Sequence, residues 1–244
     1  MRRLLLGLAL SLASFAASAQ NSDHLVTLDY DGFSLTFDCE NRTAVRFEYL
    51  ADFDVGYLPR PSKFTLDPQL PAGCQQQWST ASYASVHSGY DRGHLVPANH
   101  MDHSNLLGKR ANYMTNIVPQ VASFNRGIWE KTEEITECYR DLNPVRVYGG
   151  LVYGDERNDF FRHSHGVPTP EYFWKVLVTR DDADELQVIG WFIPNKERLN
   201  PLDSYIMSVA EIEELIGDQI DIDYRLKHVK PHTSWSVPRG CDRG

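Results

Sequence analysis

The alternation of apolar and polar positions predicts strands in both halves of the chain. Side chains alternate at 33–37 and 45–49, as expected for strands with one buried face. Segments 145–153, 172–179 and 186–193 are rich in valine, isoleucine and aromatic residues and are also predicted strands. We therefore expect much of the chain to form a sheet.

Two segments have the signature of helices. Between Gly127 and Leu142 one stripe recurs at three- and four-residue steps. Its members are Ile128, Thr132, Ile135, Tyr139 and Leu142. A second helix should begin at a capping box formed by Ser208 and Glu211 and end at Gly217.

The intervening segments complete the prediction. Residues 105–113 are expected to be helical and 113–118 extended. The proline-rich segment 58–73 is predicted to be a surface loop, and 95–98 a short strand or extended turn. Together these elements predict an α+β fold, a mainly antiparallel sheet with packed helices, in one domain over 20–244.

The N terminus has the composition of a secretory signal peptide, which we place at residues 1–19. Arg2 and Arg3 precede an apolar stretch at 4–15 that is too short to cross a bilayer, and small residues follow at 17–19. We therefore expect an exported protein, periplasmic or extracellular, with no membrane association once the signal is cleaved.

The cysteines fit this expectation. An even number of cysteines in an exported chain predicts disulfides, and three pairings are open. No two cysteines have the short spacing of a structural zinc site. The disulfide candidates are Cys39, Cys74, Cys138 and Cys241.

Two polar clusters carry the candidate chemistry. The first is Asp-Arg-Gly-His at 91–94. The second combines Asn-Ile-Val-Pro-Gln at 116–120, Asn-Arg-Gly-Ile-Trp at 125–129, and Glu133. In this order the clusters resemble the DNA/RNA non-specific endonuclease family, which carries Asp-Arg-Gly-His, Asn-Ile-x-Pro-Gln, Asn-x-Gly-x-Trp and a glutamate in a ββα-metal finger.

The resemblance implies a hydrolase that cuts DNA and RNA with Mg²⁺, or alternatively Mn²⁺. It makes His94 the general base, Asn125 the direct metal ligand, and Glu133 a ligand through water. Arg92 is a further catalytic candidate that could touch phosphate. The residues expected to organise the site are Asp91, Asn116 and Gln120.

These residue types suit the implied chemistry. A neutral histidine can take a proton from water near neutral pH, and acid should inhibit near an ordinary pKa of about 6.5. Mg²⁺ prefers oxygen ligands and keeps several waters, so one or two protein ligands suffice. Structural uses are also open: Asn125 as a helix N-cap, Glu133 on a solvated helix face, and Asp91 paired with Arg92. Gly93 is expected to let the backbone turn.

The sequence departs from the family pattern at its phosphate contacts. The family often has an arginine one turn after the glutamate, where this chain has Glu137. It also often has an arginine before an aromatic-x-x-Asp-Pro stretch, here 64–68. The candidate replacements are Arg60, Lys63, Arg126 and Arg140.

Charge and composition leave other functions open. With 24 Lys and Arg against 33 Asp and Glu, the chain carries a net charge of −9, whereas nucleic-acid-binding proteins usually present a basic face. An acidic average still permits a positive cleft. The alternatives are a catalytically weak nuclease-fold binding module and a metal-dependent phosphodiesterase for small substrates.

A separate zinc or nickel site could use His87, His100 and His103 with Asp91 and Asp102. The oligomeric state is not indicated.

Overall fold

The fold is built on a seven-stranded antiparallel sheet. The computed structural model describes residues 24–55, 58–237 and 239–241. The expected signal peptide lies outside these residues. Neighbouring strands follow the order β1-β2-β3-β6-β7-β8-β9. The strands are β1 (Leu25–Asp29), β2 (Phe33–Asp38), β3 (Thr43–Ala51), β6 (Val145–Val152), β7 (Tyr172–Arg180), β8 (Leu186–Pro194) and β9 (Ile206–Met207). The expected α+β fold is confirmed.

Among the described residues, three α-helices and a smaller ribbon complete the fold. The ribbon pairs β4 (Tyr90–His94) with β5 (Ile117–Val121) in antiparallel register. A π-helical turn, Phe124–Trp129, leads directly into the central helix. The helices are α1 (Asn105–Ala111), α2 (Glu130–Arg140) and α3 (Val209–Ile216). Short strands β1 and β9 were not predicted from the sequence, whereas a strand bearing His94 was expected from the ββα finger and is present as β4.

Several predicted elements have different ends in the structure; the helix expected over 105–113, for example, ends at Ala111. The extended segment expected from residue 113 begins at Ile117, because Met114–Asn116 forms a 3₁₀ turn. The central helix ends at Arg140, so Leu142 lies beyond it and is 51% exposed, outside the predicted stripe. The capping box on α3 is confirmed, since Ser208 and Glu211 exchange both hydrogen bonds.

Aromatic packing joins the sheet to the π-helical turn. The Trp129 ring centroid lies 5.2 Å from that of Phe173 on β7 and 6.5 Å from that of Phe47 on β3. All three side chains are buried. This contact anchors the start of the central helix against the rigid sheet, which is what an accurately positioned site on that helix requires.

Two disulfides fix the loops and the C-terminal segment. Cys39 pairs with Cys74, and Cys138 on α2 pairs with Cys241. No helix in the described part of the chain is long and apolar enough to cross a membrane.

Candidate active site

Strands β4 and β5 and helix α2 form a ββα unit. Within it Asp91 pairs with Gln120, and Gly93 pairs with Val118. A Cβ atom on Gly93 would overlap the Gln120 side chain, so this position needs glycine for space. Gly93 lies inside the strand, which corrects the expectation that it turns the backbone before the histidine.

His94 ends β4 and is held through one of its ring nitrogens. Its Nε2 atom lies 2.8 Å from Asn112 Oδ1. The Asn112 amide nitrogen donates to the carbonyls of Pro61 at 2.6 Å and Lys63 at 3.3 Å, so its oxygen must face the imidazole. We infer from this network that Nε2 carries the proton and that Nδ1 is the basic nitrogen.

The surroundings of His94 keep its ring neutral. Burial lowers the pKa of His94 to about 4; the charges of Arg60 and Arg92 contribute, whereas the hydrogen bond to Asn112 opposes the shift. Nδ1 faces the exposed Arg60, whose Nη2 atom is 3.4 Å away. A neutral imidazole is therefore present at neutral pH, and the ordinary pKa expected from the sequence is corrected downward.

Arg92 packs on the ring of Phe64, which in turn contacts His94. Its guanidinium carbon lies 3.8 Å from the centroid of the Phe64 ring, and that ring lies 5.5 Å from the His94 ring. The Arg92 Nη1 atom donates to the Thr80 carbonyl at 2.9 Å. Arg92 is thus fixed beside the histidine, and its contact with phosphate stays a prediction.

Asp91 connects the ribbon to the π-helical turn. Its Oδ2 atom accepts a hydrogen bond from Asn125 Nδ2 at 3.0 Å. Arg126 donates to both Asp91 oxygens, at 2.7 and 2.5 Å. The ion pair of Asp91 is therefore with Arg126 and not with Arg92 as expected. Asn125 lies inside the π-helical turn and does not cap it, so its side chain is held by Asp91 instead.

Glu133 lies in the first turn of α2 and is half-buried. Burial raises the pKa of its carboxyl group; Lys175 and Arg60 oppose the shift, and Glu130 adds to it. The charge of Arg60 acts on both His94 and Glu133, so Arg60 lies near both residues. The π-helical turn affects the angle between Asn125 and Glu133 around the helix axis. In a regular helix this angle would be about 80°, and the wider π turn makes it smaller.

A buried lysine lies beneath this helix and was not predicted from the sequence. Lys175 on β7 is fully buried; its Nζ atom donates to Thr132 Oγ1 at 2.8 Å and lies 3.8 Å from the Trp129 ring centroid. Burial lowers the pKa of Lys175, and Glu133 opposes the shift. The sequence signal was a single lysine within an apolar strand.

Asn116 organises the turn after the histidine. Its Oδ1 atom accepts from the Val96 amide at 3.0 Å. Its Nδ2 atom donates to the carbonyls of Val96 at 2.9 Å and Ala111 at 2.8 Å. The side chain is fully buried, so these bonds replace contacts with water and hold the segment between β4 and β5.

Glu137 replaces the family's helix arginine and points into the protein. Its Oε2 atom is 2.9 Å from His100 Nε2, and its Oε1 atom accepts from Arg140 Nε at 2.9 Å. Arg140 also contacts Asp54 at 3.0 Å and is only 3% exposed. Arg140 is therefore committed to two carboxylates, and we remove it from the phosphate-binding candidates.

The histidine-rich metal site is not assembled. His100 is in the buried pair with Glu137, His87 stacks on Phe160 with ring centroids 4.5 Å apart, and His103 is exposed. Throughout 24–55, 58–237 and 239–241, no group of three or more His, Cys, Asp or Glu side chains could hold a metal ion. The alternative of a separate zinc or nickel centre is therefore wrong for this part of the chain.

The ββα unit offers oxygen donors suited to Mg²⁺. Since Asp91 takes the Asn125 amide nitrogen, the Asn125 carbonyl oxygen faces away from Asp91. Opposite Asp91, the Gln120 amide is fully buried, and neither of its polar atoms has a partner among the described residues. An unsatisfied amide beside the Asp91–Asn125 pair is suited to an ordered water. These groups fit an ion that keeps most of its waters.

Comparisons with known proteins agree with this geometry. A family model described as DNA/RNA non-specific endonuclease matches residues 11–228. The mitochondrial nuclease EXOG of Mus musculus is 28% identical over 171 residues, which is 64% of this chain and 45% of that protein. The chain thus spans less than half of that relative. A nuclease from Nostoc sp. is 28% identical over 205 residues, or 77% of this chain and 68% of that protein.

A solved structure shows the same fold. The chain matches one from a crystal structure of the EndoG/EndoGI complex with a TM-score of 0.67 and 20% identity, covering 82% of this chain and 88% of that one. Sheet, ribbon and helix therefore define a ββα-metal nuclease fold. With the family model matching most of its length, the chain belongs to the DNA/RNA non-specific endonuclease family.

Proposed function

We propose that this protein is an exported, Mg²⁺-dependent endonuclease that hydrolyses phosphodiester bonds in DNA and RNA. The observation that carries the proposal is the buried, neutral His94, whose Nδ1 atom lies 3.4 Å from Arg60 Nη2, a cation that also acts on Glu133 of α2. A base near a hard-cation site is the minimum needed to hydrolyse a phosphodiester.

In the proposed reaction, His94 Nδ1 takes a proton from a water molecule as the water oxygen attacks phosphorus. The bond from phosphorus to the 3′ oxygen breaks; that oxygen takes a proton from solvent water and leaves as a 3′-hydroxyl, and the other product carries a 5′-phosphate. Asn125 Oδ1 would hold Mg²⁺ directly and Glu133 would hold it through water. When bound, Mg²⁺ supplies positive charge to the phosphate and the departing oxygen.

Arg60 is the strongest candidate for the phosphate contact. It is exposed, lies 3.4 Å from His94 Nδ1, and influences Glu133 electrostatically. A substrate phosphate would draw the guanidinium toward itself and free Nδ1 for the water. Arg126 is 71% exposed although paired with Asp91, and Lys63 is exposed, so both stay in the proposal as secondary contacts.

The test uses the purified chain with its disulfides formed. Plasmid DNA, RNA and a small aryl phosphodiester are incubated with Mg²⁺, Mn²⁺ or EDTA. We expect metal-dependent cutting of both polymers, and loss of cutting in Asn125→Ala but not in the control Asn200→Ala, which changes an exposed loop residue. Turnover of the small ester alone would support the small-substrate alternative. Binding without turnover would support a binding module.

Export is a separate part of the proposal. It is supported by the composition of residues 1–19 and by the two disulfides, which persist in oxidising compartments. Fractionation of cells expressing the full chain should place the mature protein outside the cytoplasm, whereas a variant lacking 1–19 should stay inside. Cytoplasmic retention of the full chain would contradict export.

A further inference from the structure

Trp78 is an exposed aromatic side chain on a fixed backbone. It is 59% exposed, yet its backbone amide donates to the His165 carbonyl at 2.9 Å. The ring packs on Gly166, where an added Cβ would come within 2.9 Å of the indole. A tryptophan that packs on a fixed backbone and is exposed to this extent leaves much of its ring open to solvent.

Arg42 extends this aromatic surface with a positive charge. Its guanidinium carbon lies 4.9 Å from the Trp78 ring centroid. It donates to the Gly166 carbonyl at 3.3 Å and to the Gln75 side chain. The cation is therefore held over the Trp78 ring by a cation–π contact.

Left-handed backbone conformations and a disulfide define the segments that carry this arrangement. Arg42 has a φ of 60° and Gly166 a φ of 77°, both in the left-handed region. The Cys39–Cys74 disulfide joins the segments that carry Arg42 and Trp78.

Trp78 is linked to the candidate active site through Thr80. The Thr80 carbonyl accepts the hydrogen bond of Arg92, which stacks through Phe64 onto His94. Trp78 precedes Thr80 by two residues, a reach of at most about 7 Å along the chain. A nucleic acid strand cut beside His94 could therefore reach Trp78 within a few nucleotides.

We infer that Trp78 and Arg42 bind an unpaired base and its phosphate in a single-stranded segment that flanks the cut. We call these two residues the stacking platform. Exposed aromatic rings stack on any base, and arginine matches the phosphate charge. In a duplex both faces of each base are already stacked, so the platform favours single strands. The inference rests on the proposed function and adds a substrate preference to it.

The experiment compares Trp78→Ala and Trp78→Phe with Tyr224→Ala, a control that removes another aromatic residue with 73% exposure. For a single-stranded oligonucleotide we expect Trp78→Ala to raise KM about five- to hundredfold, with kcat unchanged, because stacking contributes about 1–3 kcal/mol per base. Trp78→Phe should restore most of the loss. Cleavage of duplex DNA and of a small phosphodiester should be unchanged.

Binding in EDTA separates this inference from the proposed function. Anisotropy of a labelled single strand should show weaker binding for Trp78→Ala even if the wild-type protein cuts nothing. Arg42→Gly, which suits the left-handed backbone, should lower the salt dependence of binding. Unchanged binding and KM in Trp78→Ala would overturn the inference. An equal loss on the small diester, or no rescue by phenylalanine, would also overturn it.

Discussion

The hydrogen bond from His94 Nε2 to Asn112 Oδ1 decides which nitrogen can act as the base. Asn112→Asp gives up the hydrogen bonds that the amide donates to Pro61 and Lys63, but it keeps an acceptor for the imidazole and adds a negative charge, which favours the protonated ring and raises the pKa of His94. We expect the acid limb of kcat/KM to move to higher pH in this variant. The measurement is a pH profile on a small phosphodiester at saturating Mg²⁺.

The wild-type profile follows from the same environment. Because the pKa of His94 is lowered to about 4, activity should persist in weak acid and fall as the pH approaches that value. The free energy of unfolding should change with pH in the same direction. The contribution of the neutral His94 ring is present above its unfolded pKa of about 6.5 and is lost as the pH falls through its folded pKa. A wild-type limb near 6.5, or an unmoved limb in Asn112→Asp, would contradict this explanation.

Single residues differed in how far sequence could identify them. The motif order pointed to His94, Asn125 and Glu133, and the structure brings their elements into one ββα unit. Asn112 could not be found, because its orientation depends on carbonyls of the 58–63 loop that become neighbours only in the fold. The partner of Asp91 was misassigned because Arg92, next to it in sequence, points to the opposite side of the strand.

At the scale of elements, the contact between β7 and the start of α2 depends on a buried charge. Lys175→Met removes the ammonium group and keeps much of the apolar volume. Removing one partner of a buried pair leaves the other charge uncompensated, but Glu133 can take up a proton because its pKa is raised, so the free energy of unfolding should fall only modestly. Activity should fall about tenfold or more, since the nearby Glu133 loses the cation that favours its ionised form.

Urea unfolding and steady-state kinetics on the same samples test this division between stability and activity. Lys131→Met is a suitable control because Lys131 is an exposed lysine on α2, the helix that carries Glu133. A large destabilisation by Lys175→Met with normal specific activity would contradict the proposed role. Equal activity losses in both variants would contradict it as well.

Elements with strong patterns were predictable, and those defined by tertiary contacts were not. Strands β6, β7 and β8 appeared close to their predicted ranges because they are long and apolar. The π-helical turn could not be read from the sequence, because it depends on Trp129 packing against the sheet. The start of β5 shifted because the Met114 amide is bonded to the Thr65 carbonyl instead.

For the whole molecule, the net charge of −9 implies that substrate is held by few local contacts. We expect Arg60→Ala to raise KM for polymeric DNA and to reduce the slope of log affinity against log salt by about 1. Arg157→Ala should change neither, since Arg157 is an exposed arginine paired with Asp155. An unchanged slope in Arg60→Ala would remove Arg60 from the phosphate contacts.

The most direct test of the mechanism is single-turnover cleavage of plasmid DNA at saturating Mg²⁺ by the wild-type protein, His94→Ala and His103→Ala. His103 is an exposed histidine that follows the same motif, and it serves as the matched control. We predict that His94→Ala slows cleavage by about 10²- to 10⁴-fold without unfolding the protein, whereas His103→Ala cuts at the wild-type rate. Wild-type cleavage by folded His94→Ala would contradict the assignment of His94 as the general base.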